Sequence, residues 1–168
     1  MSAAPLRTLN EAPTEQAADR LAACNASRRW IERVLANRPY ADVESLLLTA
    51  ERVARSLEWD DVGQALDAHP RIGDRASGQN TEATWSRQEQ SAVGTADPQT
   101  QDALREGNVA YERRFGHVFL IRAAGRSAEE MLAELRRRLG NDQGDERAEV
   151  TEELAQITRL RLERMLGE

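Results

Sequence analysis

Apolar residues recur along most of this chain at three- and four-residue intervals, which is the spacing that gives a helix one buried face. Trp30, Ile31, Val34 and Leu35 form one such face, and Val43, Leu46, Leu47, Ala50, Val53 and Leu57 form another after Asp42. A shorter face, Trp59, Val62 and Leu66, stops at His69-Pro70, because proline lacks a backbone donor and biases the preceding residue away from helical geometry. Asp97-Pro98 has the make-up of a helix start, with the run continuing through Leu104, Val109 and Tyr111 to Phe115-Gly116. Ser127 and Glu130 have capping-box spacing ahead of Met131, Leu132, Leu135 and Leu139, a helix expected to stop near Gly140-Asn141. A last long helix is expected from about Asp145 to Leu166.

One stretch breaks the pattern. Val118-Phe119-Leu120-Ile121 is β-like but too short and isolated to found a sheet, so it reads as an extended, buried connector whose backbone amides can face a ligand. The expected fold is therefore all-α: a single domain over residues 1–168, built as a bundle of about seven to eight helices with one short extended connector. Met1 to Pro13 is expected to be partly disordered, and Arg71 to Thr81, rich in glycine and polar residues, to form a loop.

Composition narrows the chemistry. All 23 residues counted as Lys+Arg are arginine. Schiff-base catalysis and pyridoxal phosphate anchoring both need a lysine amine, so neither is available. The lysine-bearing phosphate loop is absent for the same reason, and no Gly-x-Gly-x-x-Gly fingerprint occurs. A formal net charge of -6 argues against a nucleic-acid surface. It leaves room for a small anionic substrate, since one buried arginine can set the local field. The single cysteine, Cys24, reads as apolar filler, and the sequence shows neither a signal peptide nor a membrane-spanning run, so a cytoplasmic protein without membrane contact is expected. The two histidines, His69 and His117, lie far apart in the chain with no Cys-x-x-Cys or His-x-x-x-His pair, so no metal is expected.

The remaining chemistry is acid–base work assisted by hydrogen bonds to developing charge. His69 is held at a stiff corner by Pro70, and histidine is the side chain whose unperturbed pKa lies nearest neutrality, although a structural histidine at a helix end fits the same pattern. In Ser86-Arg87-Gln88-Glu89-Gln90, helical spacing puts Ser86, Glu89 and Gln90 on one face and turns Arg87 and Gln88 elsewhere. Glu89 there can orient His69 or share its proton, or the face can be an ordinary solvated one. Arg161 falls in mid-stripe among Val150, Leu154, Ile157 and Met165, while Arg159 points to the opposite side. A charge so placed must pair internally or bind a ligand, and a guanidinium suits a carboxylate or ureido carbonyl.

Four segments together carry a family resemblance: Ala68-His69-Pro70-Arg71-Ile72-Gly73, Ser86-Arg87-Gln88-Glu89-Gln90-Ser91, Asn108-Val109-Ala110-Tyr111-Glu112-Arg113-Arg114-Phe115-Gly116, and Ile157-Thr158-Arg159-Leu160-Arg161-Leu162. In that order and approximate spacing the chain resembles the 2-oxo-4-hydroxy-4-carboxy-5-ureidoimidazoline (OHCU) decarboxylases of urate breakdown. The resemblance implies an all-helical, cofactor-free carboxy-lyase that converts OHCU to (S)-allantoin and carbon dioxide, commonly as a homodimer. It implies His69 and Glu89 as the catalytic pair. Pro70, Ser86, Gln90, Arg161 and the amide of Ile121 or a close neighbour are implied as substrate contacts. Two rival classes fit parts of the pattern: a non-enzymatic helical interaction module, with the same polar residues as a dimer contact, and a metal-assisted ureide amidohydrolase using His69, His117 and Asp74.

Overall fold

In a computed structural model, residues 3–74 and 80–167 are described. Among them the chain forms ten helices and no strand, so the all-α class holds, with more helices than expected. They are α1 (Ala3–Glu11), α2 (Thr14–Ala22), α3 (Arg28–Ala36), α4 (Val43–Arg55), α5 (Trp59–Leu66), α6 (Thr81–Glu89), α7 (Ser91–Gly94), α8 (Pro98–Phe115), α9 (Ala128–Arg138) and α10 (Gln143–Gly167). The sequence signals at helix ends are realised as hydrogen bonds. Asp42, Asp97 and Ser127 each accept the backbone N–H three residues on, at 2.7, 2.8 and 3.1 Å. Gly116 closes α8 at φ 81°, a left-handed conformation open to glycine at little cost.

Within Met1 to Pro13, expected to be partly disordered, α1 is helical, and the buried Leu6 and Leu9 reward the ordering. The end of α1 is also held: Arg38 donates through Nη1 to the carbonyls of Leu9 and Ala12 at 3.0 and 2.9 Å. Unmet carbonyls at a helix C-terminus are a natural seat for a cation.

The chain forms two compact units. The first comprises Met1–Ala65 and Leu154–Glu168. Its centre is Trp30, fully buried, with its indole N–H donating to the carbonyl of Ala50 at 3.0 Å across α3 and α4. The C-terminal part of α10 docks through polar groups as well as apolar ones: Asn25 Nδ2 donates to Thr158 Oγ1 at 3.2 Å.

The second unit is Leu66–Glu153. α8 packs on α9 around Leu104, Tyr111, Phe115, Met131 and Leu135. Approach is close at Gly107, where a Cβ would lie 2.5 Å from Leu135 Cδ2. The expected connector is present: residues 118–123 carry no regular secondary structure, and Phe119, Leu120, Ile121 and Ala123 are buried. Buried backbone outside a helix or sheet needs partners, and Arg138 supplies one by donating through Nη1 to the Leu120 carbonyl at 2.7 Å. The Arg138 guanidinium is 1% exposed, lies 4.6 Å from the Phe119 ring centroid, and pairs with Glu146, which is 0% exposed. Glu146 also accepts from the Tyr111 hydroxyl and from Asn141 Nδ2. Burial and that bond to Glu146 raise the Tyr111 phenol well above the usual range, keeping it a donor.

Candidate active site

The segment His69 to Asp74 leaves α5 through a turn in which the His69 N–H donates to the Leu66 carbonyl at 2.9 Å. His69 and Pro70 are half-buried there. The residues after them are fastened to three other places in the second unit. The Arg71 guanidinium pairs with Glu112 on α8, its Nε 2.8 Å from one carboxylate oxygen and 3.1 Å from the other. Ile72 is buried in the core, and its carbonyl accepts from Asn108 Nδ2, also on α8, at 2.7 Å. Gly73 sits at φ 98°, in the left-handed region, and its N–H donates to Gln90 Oε1 at 2.9 Å. Gln90 Nε2 donates in turn to the Arg71 carbonyl at 3.3 Å.

These bonds join three of the four segments: the loop is tied both to α8 and to the residue that caps α6, so the corner carrying His69 is fixed from α8 and from the end of α6. A loop tied only through its exposed ion pair would gain little, since such pairs are worth roughly 0.5 kcal/mol. The buried Asn108 bond is the stronger anchor, because leaving the Ile72 carbonyl unmet in the interior costs about 1–3 kcal/mol.

Ser86, buried, and Gln90, half-buried, line one hollow of about 380 Å³ together with Gly73, Asp74, Arg87 and Arg105. That differs from the helical-face expectation, in which Glu89 joined them and Arg87 pointed elsewhere. Gln90 is the C-cap of α6 at φ -96°, ψ 13°, so its own side chain no longer follows helical angles. Glu89 is half-buried, and neither it nor His69 is among the described residues lining this hollow. The Arg71–Thr81 loop expectation lies partly outside the described residues.

Ile121 is buried in the connector of the second unit. Arg161 belongs to the first unit, is 1% exposed, and donates through Nη1 to the Ala23 carbonyl at 3.1 Å. Its mid-stripe position is thus met in part by backbone. Arg159 does point the other way, pairing with Glu51 and Glu163. His117 packs edge-on against Tyr111, ring centroids 5.4 Å apart, with Nδ1 3.0 Å from the Val118 carbonyl. Among the described residues no three His, Cys, Asp or Glu side chains gather as a metal site, and no helix is long and apolar enough to cross a membrane.

Sequence reasoning missed Arg138, Glu146 and Glu153. Arg138 hides in the run Arg136-Arg137-Arg138, yet it lies three residues past Leu135 and seven past Met131, the register of the buried face of α9. That offset was the available signal. Glu153 is largely buried and pairs with Arg126 at 3.3 Å. Burial raises its carboxyl above the ordinary range.

The model of the OHCU decarboxylase family matches residues 10–163. The chain is 30% identical over 148 residues to the uric acid degradation bifunctional protein TTL of Arabidopsis thaliana, covering 86% of this chain and 46% of that protein. It spans about half the length of that relative. It is 32% identical over 132 residues to the 2-oxo-4-hydroxy-4-carboxy-5-ureidoimidazoline decarboxylase of Amia calva, covering 77% of this chain and 75% of that one. Among solved structures, the fold is similar to an OHCU decarboxylase crystallised in the presence of (S)-allantoin, with TM-score 0.76, 27% identity, and coverage of 89% of this chain and 99% of the other.

Proposed function

The chain belongs to the OHCU decarboxylase family, and from that membership we propose that it catalyses the cofactor-independent decarboxylation of OHCU to (S)-allantoin in urate breakdown. In OHCU the carboxylate sits on a ring carbon next to an imine-like or carbonyl position. When its bond to that carbon breaks, carbon dioxide departs and the electron pair passes into the ring as an enolate-like anion. One proton then returns to a single face of the ring and sets the configuration of the product. The substrate is its own electron sink, so the protein's tasks are to bind an anion, stabilise spread charge and place one proton.

Each task has a candidate group. His69 manages the proton, with Glu89 orienting it or sharing its charge. Ser86, Gln90 and the amide of Ile121 donate to the ring as charge develops, each well-placed donor being worth about 3 kcal/mol by analogy with oxyanion holes. Pro70 fixes the corner, and Arg161 meets a carboxylate or ureido oxygen through its planar fork. A small anionic substrate without nucleic acid or membrane, a homodimer and a cytoplasmic location complete the proposal.

The observation that carries this reading is the clamp on the His69 corner, in which Gln90, Asn108 and Glu112 hold three successive residues of the loop. A helical interaction module has no need of a histidine fixed so closely. The test is to generate OHCU in solution from urate and follow optical activity. Accelerated appearance of (S)-allantoin supports the proposal, and an unchanged, largely racemic course refutes it.

A further inference from the structure

The connector is braced on both sides of Ile121. On one side the Leu120 carbonyl accepts from Arg138 Nη1 at 2.7 Å, and on the other the Arg122 carbonyl accepts from Arg126 Nε at 3.0 Å. The peptide joining Leu120 to Ile121 is trans, so the carbonyl of Leu120 and the N–H of Ile121 lie on opposite edges of one rigid plane. Fixing the carbonyl toward Arg138 therefore points the Ile121 N–H away from it. A cation on the carbonyl also withdraws electron density across the amide, which strengthens the N–H as a donor.

Arg138 itself has little freedom. Its Nε and Nη2 are engaged by Glu146, with Nη2 2.5 Å from Oε2, and its face rests on Phe119. Glu146 is held in turn by Tyr111 and Asn141. A buried ion pair is weak evidence for stability, because desolvation offsets most of the attraction. This one turns its remaining nitrogen on the backbone of the buried, non-helical connector that precedes α9.

We propose that Arg138, oriented by Glu146, is a positioning residue for the decarboxylation: it aims and polarises the Ile121 amide toward the charge that develops on the substrate ring. This rests on the reading above, in which the connector amide faces substrate. Arg138 does not touch substrate and acts through the peptide plane it holds.

The experiment pairs kinetics with an amide resonance. Removing Arg138 alone strands a buried carboxylate, so the informative variant is the double substitution Arg138→Met with Glu146→Gln, whose one oxygen still accepts from Asn141 while its amide N–H can donate to the Tyr111 hydroxyl oxygen. It is expected to retain helical circular dichroism and KM, while kcat falls about 10- to 100-fold, less than the loss of a whole oxyanion donor. In ¹⁵N-labelled protein titrated with (S)-allantoin, the Ile121 amide proton shifts in the wild type and does not in the variant. Arg138→Lys carries the same two readouts if the double variant does not fold. Its ammonium keeps the charge but lacks the rigid fork that serves Glu146 and Leu120 together, so it too is expected to lower kcat and weaken the allantoin-induced shift. A folded variant with unchanged kcat, or with the Ile121 shift intact, overturns the role of Arg138 alone. If allantoin moves no connector amide in the wild type, the placement of the connector against substrate fails, and this proposal with it.

Discussion

Gly73 and Gln90 are joined by a 2.9 Å hydrogen bond from the glycine N–H to the glutamine Oε1, while the Nε2 of the same side chain returns to the Arg71 carbonyl. Both ends of one carboxamide thus grip the loop that follows His69. Gln90→Leu removes both bonds, and Gln90→Glu keeps the acceptor but sets a second oxygen against the Arg71 carbonyl. Both are expected to lower kcat/KM by at least tenfold, with a stability loss near 1–2 kcal/mol read from urea unfolding. Normal turnover in Gln90→Glu would show that the clamp is dispensable.

Proton handling separates His69 from the scaffold around it. His69→Ala and His69→Asn are expected to abolish the enantioselective formation of (S)-allantoin while far-UV circular dichroism stays helical. Near-normal activity in either removes His69 from the mechanism.

The two anchors on α8 differ in worth. Asn108→Ala loses a buried bond to the Ile72 carbonyl and is expected to cost about 1–3 kcal/mol. Arg71→Gln breaks an exposed pair, which solvent screens, and is expected to cost less. Denaturant midpoints measured side by side decide the order, and equal costs would mean the buried bond is not the main anchor.

Gly107→Ala sets helix propensity against packing. Alanine favours the helix by about 1 kcal/mol, but its Cβ meets the fully buried Leu135 side chain at 2.5 Å, an overpacking that costs about 1–3 kcal/mol. Net destabilisation of α8 on α9 is expected. Adding Leu135→Val should recover part of it, so the two substitutions are coupled rather than additive in a double-mutant cycle.

Acid sensitivity has a local source at Glu149. The Arg137 hydrogen bond, outweighing burial and helped by Asn141, holds its carboxyl below the ordinary glutamate value of 4.5. A folded value below the unfolded one gives stabilisation that is complete above the ordinary value and disappears as pH falls through the folded value. The melting temperature of Glu149→Gln should therefore trail the wild type most near neutrality and converge with it as pH falls through the folded value. Glu153, raised by burial, acts with the opposite sign. A gap independent of pH would assign the loss to packing.

Helices α4, α8 and α9 were legible because apolar spacing and caps agree at each of them, Asp42, Asp97 and Ser127 acting as written, and α3 and α5 were legible from apolar spacing. The connector was legible by contrast with its surroundings. α1 was not, since what orders it lies in distant residues such as Arg38, which no local pattern reveals. Around the candidate site, the separate segments could be read, but their mutual bonds could not: that Gln90 meets Gly73 depends on how α6 ends. Arg138 and Glu146 were invisible for a related reason. In a chain so rich in charge, an ion pair destined for the interior looks like any other on paper.

The connector's dependence on a side chain of α9 has a consequence for how the gene tolerates length change. An extended chain advances about 3.3 Å per residue, so inserting or deleting one residue between Val118 and Ala123 would slide the Leu120 carbonyl past Arg138. The neighbouring turn is half-buried at Ala124 and exposed at Gly125. In a library of single-codon insertions and deletions, the six residues without regular structure should prove as intolerant as a helix, with survivors reappearing at the turn.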